Sequence, residues 1–173
     1  MADRPNILIV FTSWSGNTRA LAEAIAEGAK GAGNGNVDVT VKRARDTKRS
    51  DIESASAVAF GSPTYYSYMS GELKALFDIA LPFKNSFYRK PAVAFATGEG
   101  GQLKCIQSIE GILELFEVSF VQRSDILSAG LAVQGRPDEG AIRQAKAIGR
   151  KLGDAGVAYA CSMGRKNIIA GKT

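Results

Sequence analysis

Asn6-Ile7-Leu8-Ile9-Val10-Phe11, followed at once by Thr12-Ser13-Trp14-Ser15-Gly16-Asn17-Thr18, is the stretch whose reading decides the fold. An unbroken apolar run is what a parallel strand covered on both faces requires, because neither face meets water. The polar segment after it is rich in hydroxyls and amides and flows into a helical pattern. Leu21, Ala22, Ile25, Ala26 and Ala29 share one face of a helix predicted over Arg19–Lys30. Gly31-Ala-Gly-Asn-Gly-Asn36 ends it.

The strand-then-helix unit recurs downstream. Val37–Val41 alternates as a half-covered strand, and a polar segment runs from it through Ser50. Ala57–Phe60 predicts a third strand, stopped by Gly61-Ser62-Pro63, and Ser70–Leu81 predicts a helix with Leu73, Leu76, Phe77 and Ala80 inward. Pro91–Ala96 is a fourth strand and Ile106–Phe116 a helix. Phe120–Leu131 contains a fifth, less regular strand, and Ala141–Leu152 a closing helix with Pro137 ahead of it. Such alternation predicts a doubly wound α/β domain with a five-stranded parallel sheet and helices on both faces. Ligands of these sheets bind at the carboxyl ends of the strands. Three of those ends carry loops of unusual chemistry: Thr12–Thr18, Gly61–Tyr68 and Thr97–Gln102.

The chain of 173 residues fits a single domain, which we expect over residues 1–156, with residues 157–173 as a basic C-terminal tail. That tail holds Arg165, Lys166 and Lys172 and no acid, so it supplies three of the formal net charge of +5. No nucleic-acid reading motif and no membrane-length apolar run is present. Met1-Ala-Asp-Arg-Pro5 lacks the layout of a signal peptide, and a cytoplasmic location is the expectation. Cys105 and Cys161 form no metal spacing and read as packed thiols. With no histidine anywhere, a Ser-His-Asp triad, a Cys-His pair and most zinc sites are excluded. We expect no catalytic side chain and no metal site; redox or acid–base chemistry near neutral pH falls to a cofactor or to a perturbed Asp, Glu, Lys, Tyr or Cys.

In the first loop, Gly16 lets the backbone turn so that successive N–H groups converge at a helix N-terminus. That is a phosphate cradle without lysine or arginine, and it is neither GxxxxGK[ST] nor GxGxxG. Taken alone, it is equally the pattern of an ordinary capped turn. Read with the other two loops, Ser13-Trp14-Ser15-Gly16-Asn17-Thr18 resembles the FMN-phosphate signature T/S-x-[ST]-G-N-T of the flavodoxin-like superfamily. The loops Gly61–Gly71 and Thr97–Gln102 resemble the NAD(P)H:quinone oxidoreductase, or tryptophan-repressor-binding-protein-like, branch. The likeness covers most of residues 6–156.

The resemblance implies strand order 2-1-3-4-5 and one non-covalent FMN. Thr12 begins the first loop; Ser13, Ser15, Gly16, Asn17 and Thr18 would hold the phosphate, with Trp14 giving its backbone N–H. Pro63, Thr64, Tyr65 and Tyr66 would line one side of the isoalloxazine, and Thr97, Gly98, Gly100 and Gly101 the opposite edge. Tyr65, Tyr66 and Tyr68 are each candidates for ring stacking or for plain packing, and Glu99 would lower the flavin's potential. Two functions follow: an electron carrier between redox protein partners, or an NAD(P)H-dependent quinone or flavin reductase. A flavin-free interaction module keeping the fold is a third. The chain departs from the quinone-reductase branch in lacking a histidine and a long segment after the fourth strand. It departs from iron–sulfur flavoproteins in lacking a compact cysteine motif, and from the usual acidic flavodoxins in being basic.

Overall fold

The computed structural model describes residues 4–123 and 130–170, with residues 165–170 described by backbone alone. Strands β1 (Asn6–Phe11), β2 (Asp38–Arg43), β3 (Ala57–Pro63), β4 (Pro91–Gly98), β5 (Ser119–Gln122) and β6 (Leu131–Gln134) form one sheet. Its order is β2-β1-β3-β4-β5, as the family resemblance implies, and every described pairing within it is parallel. The sixth strand is the difference. β5 pairs the start of β4 (Pro91↔Ser119), whereas β6 pairs its end, from Phe95↔Leu131 to Gly98↔Gln134. Two short strands in tandem therefore occupy the position expected for one. Residues 124–129, inside the expected fifth strand, lie outside the described residues.

Alternation along the buried strands builds two cores. Ile7, Ile9, Ala57, Ala59, Val93 and Phe95 pack under α1 (Asn17–Lys30) and α5 (Glu139–Ala170). Leu8, Val10, Val58, Phe60, Ala92 and Ala94 pack under α2 (Arg49–Ser54), α3 (Gly71–Ala80) and α4 (Gln102–Leu115). Edge strand β2 is only partly covered, which is why it keeps a polar, charged sequence. The short helix α2, which the sequence reading does not predict, begins within the last two residues of the polar segment that runs through Ser50. α5 runs far past the expected Ala141–Leu152. No proline interrupts it, and an isolated glycine costs a helix only about 1 kcal/mol. The backbone expected as a tail thus continues the helix through Ala170, while Gly171, Lys172 and Thr173 lie outside the described residues.

The crossing of α1 and α5 depends on missing side chains. A Cβ at Gly28 would sit 1.9 Å from the Lys146 carbonyl oxygen, and one at Gly149 would sit 2.0 Å from that of Ile25. Gly111, inside α4, has nothing within 4 Å of a Cβ. Gly149→Ala should therefore destabilise the fold by about 1–3 kcal/mol through overpacking, while Gly111→Ala stabilises it by up to about 1 kcal/mol. Urea unfolding midpoints check both. Similar shifts in the two would mean that the crossing tolerates a methyl group.

Lys90, just before β4, is 2% exposed, and its ammonium donates to the Ile52 carbonyl. Burial pushes its pKa down from 10.5 to about 8, with Glu53 opposing. The unfolded chain thus holds more protons than the folded one between these values, and stability rises with pH across that window. Burial likewise pushes the Cys105 thiol up, from 9.0 to about 11. That shift acts in the opposite direction above the unfolded thiol's pKa. The lysine effect is therefore clearest from about pH 8 to about pH 9, where stability should rise by about 1 kcal/mol. Lys90→Met should remove that rise in urea titrations, whatever it does to the absolute value.

Candidate functional site

The parallel strands bring the three loops to one edge, and hydrogen bonds tie them together there. Thr12 N–H donates to the Gly61 carbonyl at 3.0 Å, and Thr64 N–H to that of Thr97 at 2.7 Å. Buried hydroxyls add two ties. Thr18 Oγ1 and Thr97 Oγ1 lie 2.8 Å apart, as do Thr12 Oγ1 and Ser70 Oγ. Ser62 Oγ accepts from Ser70 N–H at 2.8 Å and donates to the Pro63 carbonyl at 2.7 Å. Ser70 also caps α3, accepting from Leu73 N–H at 3.3 Å. Thr12 and Thr18, two of the predicted phosphate-loop residues, thus have their hydroxyls engaged with neighbouring loops.

The remaining donors of the first loop stay open. Gly16 takes φ 93°, a left-handed turn that favours glycine, and opens α1 with no side-chain cap and no acid in the first turn. Ser13 Oγ accepts from Gly16 N–H at 3.1 Å and Arg19 N–H at 3.4 Å. Among the described residues, the N–H groups of Trp14, Ser15, Asn17 and Thr18 have no acceptor. Convergent N–H groups at the positive end of a helix suit an anion. Arg19, the cation next to the loop in sequence, has its Nε paired with Glu23 at 2.7 Å.

The third loop repeats the device. Gly101, at φ 72°, opens α4, again without a side-chain cap or an acid in the first turn. The Gln102 Oε1 beside it is buried without a partner. β6 props this loop, since Gln134 Nε2 donates to the Glu99 carbonyl at 3.3 Å and Gly135 N–H to that of Gly98 at 2.9 Å. A cleft of about 660 Å³ lies here, bounded by Ser67, Glu99, Gly100, Gly101, Lys104 and Gln134 among others. Gln134 was not legible as a site residue, because its place depends on how β6 aligns with β4; Gln102 was legible only as the end of the third loop.

The second loop is a tight turn. Tyr65 and Tyr68 exchange backbone hydrogen bonds at 3.0 Å each, and between them Tyr66 and Ser67 have φ 52° and 61°. Two consecutive positive φ values mark a type I′ hairpin turn, which ordinarily takes Asn-Gly. The turn holds Tyr66 fully exposed, at 104%, with Tyr65 and Tyr68 about half exposed. Trp14 stands 92% exposed on the first loop, and a cleft of about 190 Å³ lies between it, Tyr65, Pro63 and Glu72. The sequence assigned Trp14 only a backbone N–H; its indole joins the tyrosines as apolar surface facing water. Four such rings around two open helix N-termini fit a ligand with a flat apolar ring and an anionic arm. FMN meets that description.

The model of the flavodoxin family matches residues 9–149. A flavodoxin of Aquifex aeolicus is 27% identical over 159 residues, covering 86% of this chain and 85% of that protein. An NAD(P)H dehydrogenase (quinone) of Archaeoglobus fulgidus is 26% identical, covering 86% of this chain and 95% of that protein. Among solved structures, a flavodoxin from the domain Archaea superposes with a TM-score of 0.74 at 26% identity, covering 87% of this chain and 98% of that one.

The strained turn yields a prediction that needs no ligand. Glycine at position 67 removes a left-handed penalty of about 1 kcal/mol. Ser67→Gly should raise stability by about that amount in urea unfolding. A loss of stability would mean that Ser67 is held by more than its backbone.

Proposed function

This chain belongs to the flavodoxin family, and on that premise we propose that it binds FMN at the three-loop edge and carries electrons between redox protein partners in the cytoplasm. The observation that supports this most is the combination of unfilled N–H donors at the start of α1 with four exposed aromatic rings beside them. Bound FMN supplies the redox chemistry. The protein's own work is binding, orientation and shielding. Trp14, Ser15, Asn17 and Thr18 offer the phosphate directional N–H donors, and Gly16 makes the left-handed turn that aims them. Pro63, Thr64, Tyr65, Tyr66 and Tyr68 offer one wall for the ring. Thr97, Gly98, Glu99, Gly100 and Gly101 offer the other, where missing side chains let backbone amides approach. Cys105, under the second loop, donates to the Pro63 carbonyl at 3.8 Å; its raised pKa keeps it a neutral thiol and a packing group. No helix among the described residues is long and apolar enough to cross a membrane.

The cleft beside the third loop favours a second reading, an NAD(P)H-dependent quinone or flavin reductase. It offers Lys104 and the open N-terminus of α4 next to the same edge.

The purified protein should be yellow. Anaerobically, dithionite should bleach it within seconds, while NADH or NADPH leaves its absorbance unchanged over minutes; rapid bleaching by either nucleotide would establish the reductase instead. The phosphate assignment is tested at Ser15, which is exposed and makes no side-chain hydrogen bond among the described residues. Ser15→Ala should weaken FMN about tenfold, the worth of one hydrogen bond to a charged group, and leave riboflavin unchanged. Equal weakening of both would move the phosphate elsewhere.

A further inference from the structure

The opposite edge of the sheet holds a cleft of about 550 Å³ that the flavin function does not use. It opens where β4 and β5 begin, between the turn that precedes β4 and the C-terminal half of α5. Pro91, Ala158 and Met163 give it an apolar lining, and Tyr88 and Tyr159 stand on it as aromatic walls. The two walls are joined, since Tyr159 Oη donates to the Tyr88 carbonyl at 3.4 Å. Burial pushes the Tyr159 phenol above its ordinary pKa, so this wall stays neutral.

Among the described residues, Arg89 is the one charged residue that lines the cleft. Among the described residues it makes no ion pair and no side-chain hydrogen bond. No carboxylate among the described residues lines this cleft. The other three described clefts each contain one or more: Glu23 and Asp46 beside β2, Glu99 at the third loop, and Glu72 between the first and second. The backbone that carries Arg89 is fixed in an unusual way. Arg89 has φ 55°, and its N–H donates to the Glu117 carbonyl at 2.8 Å, which joins the turn to the end of α4. An arginine without an internal partner, in a cleft lined by apolar side chains and two tyrosines, matches an anion carried on a flat apolar body.

We propose that this cleft is a second binding site, which takes an aromatic carboxylate of one or two fused rings. The carboxylate pairs with Arg89 through the planar fork that suits it, and the ring lies between Tyr88 and Tyr159. The cleft's volume lies in the range of small-molecule sites. β4 separates it from the three loops by roughly 25 Å, the length of an eight-residue strand, so both sites can fill together. The proposal does not depend on which redox reading holds.

The test titrates the full chain, as purified, with 2-naphthoate and with uncharged 2-naphthalenemethanol, followed by calorimetry and by backbone amide shifts. One saturable site is expected for naphthoate, at least about tenfold tighter than the alcohol, with shifts concentrated at residues 85–91 and 155–163. Arg89→Asn removes the charge while suiting the left-handed backbone, and should erase the preference for the acid. Ala158→Glu places a like charge on the floor and should abolish naphthoate binding without altering FMN binding. The second variant decides the matter if the first does not fold. Equal affinity for acid and alcohol, displacement of naphthoate by riboflavin, or unchanged binding in the variants would overturn the proposal.

Discussion

Two buried threonine hydroxyls 2.8 Å apart, Thr18 on α1 and Thr97 at the end of β4, hold the first and third loops in register. Each is nearly without solvent contact, at 1% and 3% exposure, so losing one partner leaves the other unsatisfied in a dry place. On the other face of the same edge, Thr12, Ser70 and Ser62 do the equivalent for the first and second loops. These ties are possible because strands covered on both faces all run the same way, which puts successive carboxyl ends in a row. Three loops distant in sequence are thereby tied to one another and to the strands that carry them.

Much of this was legible in the sequence, and the reason is contrast. Apolar runs broken by hydroxyl-rich or glycine-rich loops give the succession of strands and the three loops directly, while the strand order came from the family resemblance those loops carry. Contacts that arise only when elements meet were not legible. Nothing in Thr12, Ser62 and Ser70 as residue types foretells that they share a buried hydrogen-bonded cluster. The tandem strands β5 and β6 were read as one because both are short and part-buried, and their periodicity is weak. The length of α5 was underestimated because Gly153 and Gly156 look like breakers. They are packing surfaces: a Cβ at either would lie within 2.6 Å of Ala32 Cβ or Ile7 Cδ1, respectively. Trp14 was undervalued because a loop tryptophan carries no periodic signal.

The chain is basic, yet the anion cradle proposed for it is built from neutral groups. The formal charge of +5 lies away from the first loop, which contains no lysine or arginine, and the nearest arginine, Arg19, is engaged by Glu23. Binding by converging N–H donors is directional, so it discriminates a tetrahedral anion in one place from anions in general. It is also less sensitive to salt than a cluster of exposed cations. A basic surface and a charge-poor cradle can therefore serve separate partners without competing.

The second and third loops carry a strain that makes sense only when they are considered together. Tyr66 and Ser67 both occupy the left-handed region, at a cost of about 1–2 kcal/mol each, where a hairpin would ordinarily employ glycine. The reciprocal hydrogen bonds of Tyr65 and Tyr68 keep the turn closed. Its far side rests on Gly101, where an added Cβ would lie 2.4 Å from Ser67 Oγ. The glycine that opens α4 thus also makes room for the strained turn, and one substitution there would disturb two loops. Strain of this kind persists only where the surroundings fix it, and it concentrates at functional positions. What it achieves here is the presentation of a tyrosine ring wholly in solvent, at the point where the three loops converge. A relaxed Asn-Gly turn would close the same hairpin but leave the ring out.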